Sequence, residues 1–562
     1  MFLLFIVFVI GVSYAQESPI VNITQGSIQG IKHPDGNYFA FYGIHYAGPV
    51  SGDNRFKMAP PPPNYTDVFQ AVNDTVICAQ PTLDDYIGVE DCLTLNIFTP
   101  NITASQPVMV WIEGEEYTRT KPTKGSFKNF MNENIVVVKV NYRLSIFGFL
   151  CLRVEEAPGN AGLKDIVQGL KWISNNIAHF GGDPKNVVLF GHGSGANMVD
   201  LITLSPLSKG LVNKAIVQSG SALSPTAIAY DPIGYAEMFA AKLGYINKSR
   251  KELANLLIKT DIDLISSHLN DFELRNNTVL FAPCIENHLN GSDTFLSDAP
   301  INILRSGNYS QIPYVAGYTD KEGTIRAEKV ILNQWLEKMN AHFDDFIQVD
   351  LDFKTKENKS IVVSSIREHY FGKMAINMKV IDNYTDYHGD TIIFVSMVRG
   401  LRERAQTSTA DVSLYSFEYK GTYNSDWTFT EIPVTGVKHG GILNYLLNYD
   451  LKEVDLSVMK SIMNRYAIFI RTGLTNVPGI VEWRPVKDSV YYLSYSGGEE
   501  SPNFTTMFEY SLVNPKEETI AFWDDIYSKF YKIPPLPTTS DSAQFLGLSV
   551  LLIICQTLTM YL

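Results

Sequence analysis

The sequence predicts an α/β protein built on one large, mostly parallel sheet with helices on both faces, and two observations carry that prediction. The first is Val187-Val188-Leu189-Phe190-Gly191-His192-Gly193-Ser194-Gly195-Ala196, four apolar residues ending at a glycine-rich turn with small or helix-compatible residues beyond it. That is the form of a buried strand running into a sharp turn and then a helix. The second is the pattern on either side of that turn. Strand-length apolar runs and helix-spaced segments alternate along the chain, as the crossovers of a parallel sheet require.

Residues 20–46 alternate short apolar runs with Gly and Asp-Gly, which predicts small antiparallel strands. Residues 60–63 are all proline, so they form an extended connector. Residues 93–98 and 108–112 read as strands, and the β-branched run 135–140 as a buried central strand. Residues 166–177 have helical spacing, while 235–269 and 333–369 read as helical insertions. No internal repeat interrupts this order. One domain is therefore predicted over residues 16–531, followed by a Pro-, Thr- and Ser-containing stalk over 532–544.

The chain has 562 residues, 45% apolar and 19% charged, enough to bury a large core. Its net charge of −13 argues against nucleic acid or anionic lipid as a partner, and no basic cluster overrides that. Residues 1–12 are almost wholly apolar and Ser13-Tyr14-Ala15 offers a small-x-small cleavage site, so residues 1–15 read as a secretory signal peptide. Residues 545–562 are uncharged and apolar, interrupted only by Gly547, Ser549, Gln556, Thr557 and Thr559, and are preceded by the small residues Ser540, Asp541, Ser542 and Ala543. This tail resembles a GPI-attachment signal, with a simple C-terminal tail anchor as the alternative. Eleven Asn-x-Ser/Thr sequons, at Asn22, Asn64, Asn73, Asn101, Asn247, Asn276, Asn290, Asn308, Asn358, Asn383 and Asn503, predict a glycosylated surface. The predicted location is the extracellular side of the plasma membrane, with release from it as a second route. Cys78 and Cys92 are the expected disulfide, closing a short loop. Cys151 and Cys284 show no obvious partners and read as small buried hydrophobes. No Cys/His cluster has metal-ligand spacing, and neither a metal nor a cofactor is predicted.

A set of segments then occurs in a fixed order: Gly43-Ile44-His45-Tyr46-Ala47, Glu90-Asp91-Cys92-Leu93-Thr94-Leu95-Asn96-Ile97, Val140-Asn141-Tyr142-Arg143-Leu144, Ala157-Pro158-Gly159-Asn160-Ala161-Gly162-Leu163, Phe180-Gly181-Gly182-Asp183-Pro184 and Gln218-Ser219-Gly220-Ser221-Ala222-Leu223. Across residues 21–531 this set resembles the type B carboxylesterase and cholinesterase-like family, which implies the α/β-hydrolase fold. The resemblance implies a Ser-His-Glu triad whose serine sits at the tip of a G-x-S-x-G elbow. Glu322, in Asp320-Lys321-Glu322-Gly323-Thr324 after Val315-Ala316-Gly317, matches the acid. His439, in Gly436-Val437-Lys438-His439-Gly440, matches the base. A buried Glu would hold the imidazole tautomer, and the imidazole would take the serine proton.

Two departures stand against that chemistry. The elbow tip is Gly193, which has no side chain to attack with. Shifting the frame to use Ser194 puts His192 where the turn wants a small residue and rotates the hydroxyl away from His439; Ser194 reads instead as a cap on the next helix. In Trp111-Ile112-Glu113-Gly114-Glu115-Glu116-Tyr117, Glu115 and Glu116 stand where the family's oxyanion-hole glycines are expected. Losing one such donor costs about 3–4 kcal/mol of transition-state stabilisation, and nearby carboxylates add repulsion. The short Cys78–Cys92 loop leaves no room for the choline-binding tryptophan of cholinesterases. His288, His342 and His388 lack any partner pattern and read as surface or structural.

The sequence therefore points to a cell-surface glycoprotein that lacks a working nucleophile and resembles the family's non-enzymatic members: neuroligins, neurotactin, glutactin and gliotactin. Its expected partner is an extracellular protein or a lipophilic small molecule. The competing expectations are a binder that sequesters lipophilic esters and a residual ester hydrolase using Ser194 or a water activated by His439.

Overall fold

The computed structural model describes residues 18–537 except 83–84, 121–124, 273, 276, 288–292, 422–431, 448–450 and 499–506. The predicted signal peptide and hydrophobic tail lie outside the described residues. Among the described residues, no helix is long and apolar enough to cross a membrane.

An eleven-stranded sheet dominates the molecule. In chain order its strands are β1 (Ile31–Lys32), β2 (Phe39–His45), β3 (Thr94–Thr99), β4 (Gln106–Ile112), β5 (Val136–Val140), β6 (Gly182–His192), β7 (Lys214–Gln218), β8 (Tyr314–Thr319), β9 (Val412–Phe417), β10 (Tyr491–Gly497) and β11 (Met507–Val513). Their spatial order is β1-β2-β3-β5-β4-β6-β7-β8-β9-β10-β11. The seven strands from β5 to β10 pair in parallel. The ladders from β1 through β3 to β5 at one end, and of β11 on β10 at the other, are antiparallel. This confirms the predicted α/β class and its mostly parallel sheet. The continuous apolar runs that predict the sheet arise because both of its faces are covered. On β4, Val108, Val110 and Ile112 enter one core while Met109 and Trp111 enter the other. The Trp111 and Phe190 rings stack across β4 and β6 with centroids 4.4 Å apart.

Helices flanking the sheet include α1 (Ala161–Asn176), α2 (Ser194–Leu204), α3 (Ile381–Gly389), α4 (Val395–Thr407), α5 (Glu453–Thr472) and α6 (Glu517–Phe530). The predicted insertions contain helices at Pro232–Lys242, Arg250–Lys259 and Ile262–Ser266, and at Trp335–Ala341 and Lys356–Phe371. A separate hairpin of Ile20–Ile23 on Gly26–Gln29 accounts for part of the predicted N-terminal antiparallel strands.

Cys78 and Cys92 are bonded, with Cα atoms 5.0 Å apart. The expectation for Cys151 and Cys284 is corrected: they form a second disulfide across 133 residues of sequence. Both are buried, as expected of small hydrophobes, but the strap that carries Cys284 packs back against the start of α1. Asn160 makes the juxtaposition, donating to the Cys284 carbonyl at 2.8 Å and accepting from its N–H at 2.8 Å. No sequence spacing encodes that approach.

Among the sequon asparagines, Asn22, Asn64, Asn73, Asn101, Asn247 and Asn308 are exposed. Asn358 and Asn383 are half-buried, and the Asn383 amide donates to the Tyr370 carbonyl at 2.8 Å. Asn276, Asn290 and Asn503 lie outside the described residues.

Candidate functional site

Loops at the C-terminal ends of β4, β6, β7 and β8 converge on the turn at Gly193, the position where open parallel sheets bind ligands. β6 ends at His192, Gly193 makes the turn, and α2 starts at Ser194. Gly193 holds φ 59°, ψ −124°, a region that strains any residue with a side chain. The turn is tight as well as strained. A Cβ on Gly191 would stand 2.3 Å from the Gly195 carbonyl, and one on Gly195 would stand 2.3 Å from the Ile112 carbonyl.

A Cβ at Gly193 would lie 3.4 Å from His439 Nε2 and 3.5 Å from the Gly114 carbonyl. A side chain at 193 would therefore project at the imidazole. His439 Nδ1 is 2.5 Å from a carboxylate oxygen of Glu322. The other oxygen accepts from the Ser219 hydroxyl at 2.6 Å and the Thr319 N–H at 2.7 Å. Glu322 is buried, so its carboxyl oxygens meet directed partners instead of water. The His439 segment is pinned to the Glu322 turn by three backbone anchors. His439 N–H donates to Thr324 Oγ1 at 2.9 Å, Val437 N–H to Asp320 at 2.7 Å, and Lys321 N–H to the Val437 carbonyl at 3.0 Å. Gly193, Glu322 and His439 are thus brought together, with no side chain in the nucleophile's place. His192 adds a feature that its strand-end position alone could not reveal. Its ring lies 4.4 Å from the His439 ring, at an interplanar angle of 41°.

The loop after β4 is closed on itself. The Glu115 N–H donates to the Arg119 carbonyl at 2.8 Å, and the Thr118 N–H to the Glu115 carbonyl at 3.0 Å. An N–H spent in that turn is not aimed at the elbow. Glu116 and Tyr117 both take left-handed backbone, at φ 50° and 62°. The Tyr117 N–H donates to Ser194 Oγ at 3.1 Å. The expectation that Ser194 caps α2 is corrected. Gly193 holds the cap position, and the Ser194 hydroxyl instead accepts from the loop. Tyr117 itself is fully buried, its hydroxyl accepting from Asn197 at 3.0 Å.

The Glu116 carboxylate forms an ion pair with Arg326, which is fully buried four residues beyond Glu322. Arg326 Nε donates to Asn277 Oδ1 at 3.3 Å, and Asn277 Nδ2 lies 3.3 Å from His388 Nδ1. His388 is fully buried, whereas His342 is exposed and His288 lies outside the described residues. Burial, reinforced by the Arg326 guanidinium, holds His388 neutral well below the usual imidazole range. No motif marks Arg326 or Asn277 in the sequence. The one available signal is the helical spacing from Glu322 to Arg326. Among the described residues, no group of three or more His, Cys, Asp or Glu could hold a metal ion.

Residues 17–511 match the carboxylesterase family. The chain is 30% identical to venom carboxylesterase-6 of Apis mellifera over 487 residues, covering 82% of this chain and 86% of that protein. It is also 30% identical to juvenile hormone esterase of Tribolium castaneum, over 77% of this chain and 79% of that one. The crystal structure of juvenile hormone esterase from Manduca sexta, with OTFP covalently attached, superposes with a TM-score of 0.80 at 25% identity, covering 91% of this chain and 100% of that one. With the family model matched over most of its length and relatives at 30% identity, this chain belongs to the carboxylesterase family.

Proposed function

We propose that this chain is an extracellular carboxylesterase-family glycoprotein that recognises a ligand or partner without forming an acyl-enzyme. One observation carries the reading. The position that projects at His439 Nε2 is glycine, so no hydroxyl is available for His439 to deprotonate. The closed Glu115–Arg119 turn supports it, because a donor that should stabilise an oxyanion is committed to another carbonyl. The apolar first and last segments and the exposed sequons support membrane attachment from the outer side, through a GPI anchor or tail, and a role in adhesion or recognition.

The test is fluorophosphonate labelling and p-nitrophenyl ester turnover on protein purified from cells expressing the full chain. The expected result is neither labelling nor turnover. Labelling at Ser194 with turnover would overturn the reading.

The Glu322–His439 pair favours one alternative. A water beside His439 Nε2 could give up its proton to the imidazole and add its oxygen to an ester carbonyl directly. That route would appear as turnover without labelling, abolished by His439→Ala.

A further inference from the structure

Arg326 is buried, charged and only partly satisfied. Nη1 is ion-paired with Glu116 and Nε meets Asn277, while neither Nη1 nor Nη2 makes a well-directed hydrogen bond among the described residues. Buried guanidinium donors are seldom left open, because each forgoes the bonds it made to water. A second open group lies in the same cluster. Arg326 Nε can only donate, which fixes Asn277 Oδ1 toward it and turns Asn277 Nδ2 toward His388 Nδ1. His388 Nδ1 must then accept, so the proton of the neutral ring sits on Nε2. That Nε2 also has no hydrogen-bond partner among the described residues. Glu116, Arg326, Asn277 and His388 thus form one buried chain with spare donors on the guanidinium and on the imidazole and a single carboxylate at its outer end.

We infer that this cluster is a carboxylate-binding subsite: Arg326 takes the carboxylate of a lipophilic small molecule, with the Glu116 side chain filling that role when no ligand is bound. A planar carboxylate matches the guanidinium fork, and bidentate pairing would engage the open Nη2. The flanking groups are aromatic. The Tyr384 and Trp335 rings lie 4.4 and 5.8 Å from the His388 ring, and the Tyr384 hydroxyl donates to the Arg326 carbonyl at 3.0 Å. These buried rings give the guanidinium and imidazole an apolar surround, the setting a lipophilic acid would favour. The outer end of the cluster is the loop that carries Glu116 and Tyr117, beside the elbow. The subsite selects a free acid over its neutral ester, the reverse of what an ester-cleaving pocket selects. It rests on the non-hydrolytic reading, because an acid retained at the site of its own formation would block turnover.

The test compares octanoate with methyl octanoate as ligands, by thermal stabilisation of purified full-chain protein. Octanoate should raise the melting temperature and methyl octanoate should not. Glu116→Gln removes the internal competitor and should bind octanoate roughly tenfold tighter or more. Glu116→Gln and Arg326→Gln each strand a buried charge and should lower the melting temperature by themselves, so each is read as the shift its own octanoate titration adds, and the paired variant Glu116→Gln/Arg326→Gln serves as the control. It should melt normally and lose the preference for the acid. Equal stabilisation by acid and ester, no stabilisation by either, or a preference that survives in the paired variant would each overturn the inference. Fluorophosphonate labelling of the same sample separates the two claims. A protein that labels defeats the non-hydrolytic reading, whereas one that neither labels nor distinguishes acid from ester defeats the subsite alone.

Discussion

A serine at position 193 would have to hold φ 59°, ψ −124°, which costs a residue with a side chain about 1–3 kcal/mol. Gly193→Ser should therefore lower the unfolding free energy by about that amount in a denaturant titration. It should also gain a reactive hydroxyl, since the new Cβ would lie 3.4 Å from His439 Nε2 and Glu322 already orients the ring. Fluorophosphonate should label the variant at that new hydroxyl while wild type stays unlabelled. Ester turnover by the same variant should remain about 10²–10³-fold below that of an esterase with a complete oxyanion hole, because the Glu115 N–H stays bonded to Arg119. Full turnover would show that the loop's closed turn opens when substrate binds. A variant that fails to label would place the defect in the imidazole, whose neighbour His192 is the first group to replace.

The turn carrying Glu322 and the segment carrying His439 act as one element, and Asp320 is the clasp. Its carboxylate accepts from the Val437 N–H at 2.7 Å, and burial pushes its pKa up to about 6, against the pull of that hydrogen bond. The sign of the effect is set by the ordinary value of 3.8 in the unfolded chain. A carboxyl whose pKa rises on folding favours the folded state fully below pH 3.8, and that contribution is lost as pH climbs through about 6. The loss amounts to about 3 kcal/mol from this group. Asp320→Asn keeps an acceptor for Val437 and removes the buried charge. It should stabilise the protein near pH 7.5 and flatten the stability profile between pH 4 and 6, as read by unfolding at several pH values. A destabilised Asp320→Asn at pH 7.5 would mean that Lys321 and the Val437 N–H hold the ionised form more firmly than burial opposes it. At this scale the sequence is informative where the chemistry lies within one turn. The Gly191-x-Gly193-x-Gly195 frame, the Glu322 turn and the His439 segment are each contiguous. Glu116–Arg326 and Asn277–His388 join residues more than a hundred positions apart, and no periodicity or motif announces such contacts.

Over the whole molecule, the sheet is legible because its strands are buried on both faces and read as unbroken apolar runs, as β4 and β5 do. The way distant segments close on one another is not. The Cys151–Cys284 bridge is the clearest case. It ties the strap after the Pro232–Lys242, Arg250–Lys259 and Ile262–Ser266 helices to the loop before α1, while Cys78–Cys92 closes a separation of only 14 residues. In the chain-entropy treatment, a loop of 133 residues is worth about 5 kcal/mol and one of 14 about 3. The strap also has local holds. Lys164 and Glu286 pair at 3.2 Å with both side chains buried, and Asn160 bonds Cys284 in both directions. Cys151→Ala/Cys284→Ala should consequently lose more stability than Cys78→Ala/Cys92→Ala in denaturant unfolding under non-reducing conditions, by about 2 kcal/mol. If the two losses are equal, the Asn160 and Lys164 contacts already close the long loop in the denatured chain. If the short loop matters more, its disulfide is bracing the neighbouring Arg55–Glu90 ion pair, whose guanidinium reaches the Leu257 and Thr260 carbonyls at 2.8 and 2.5 Å.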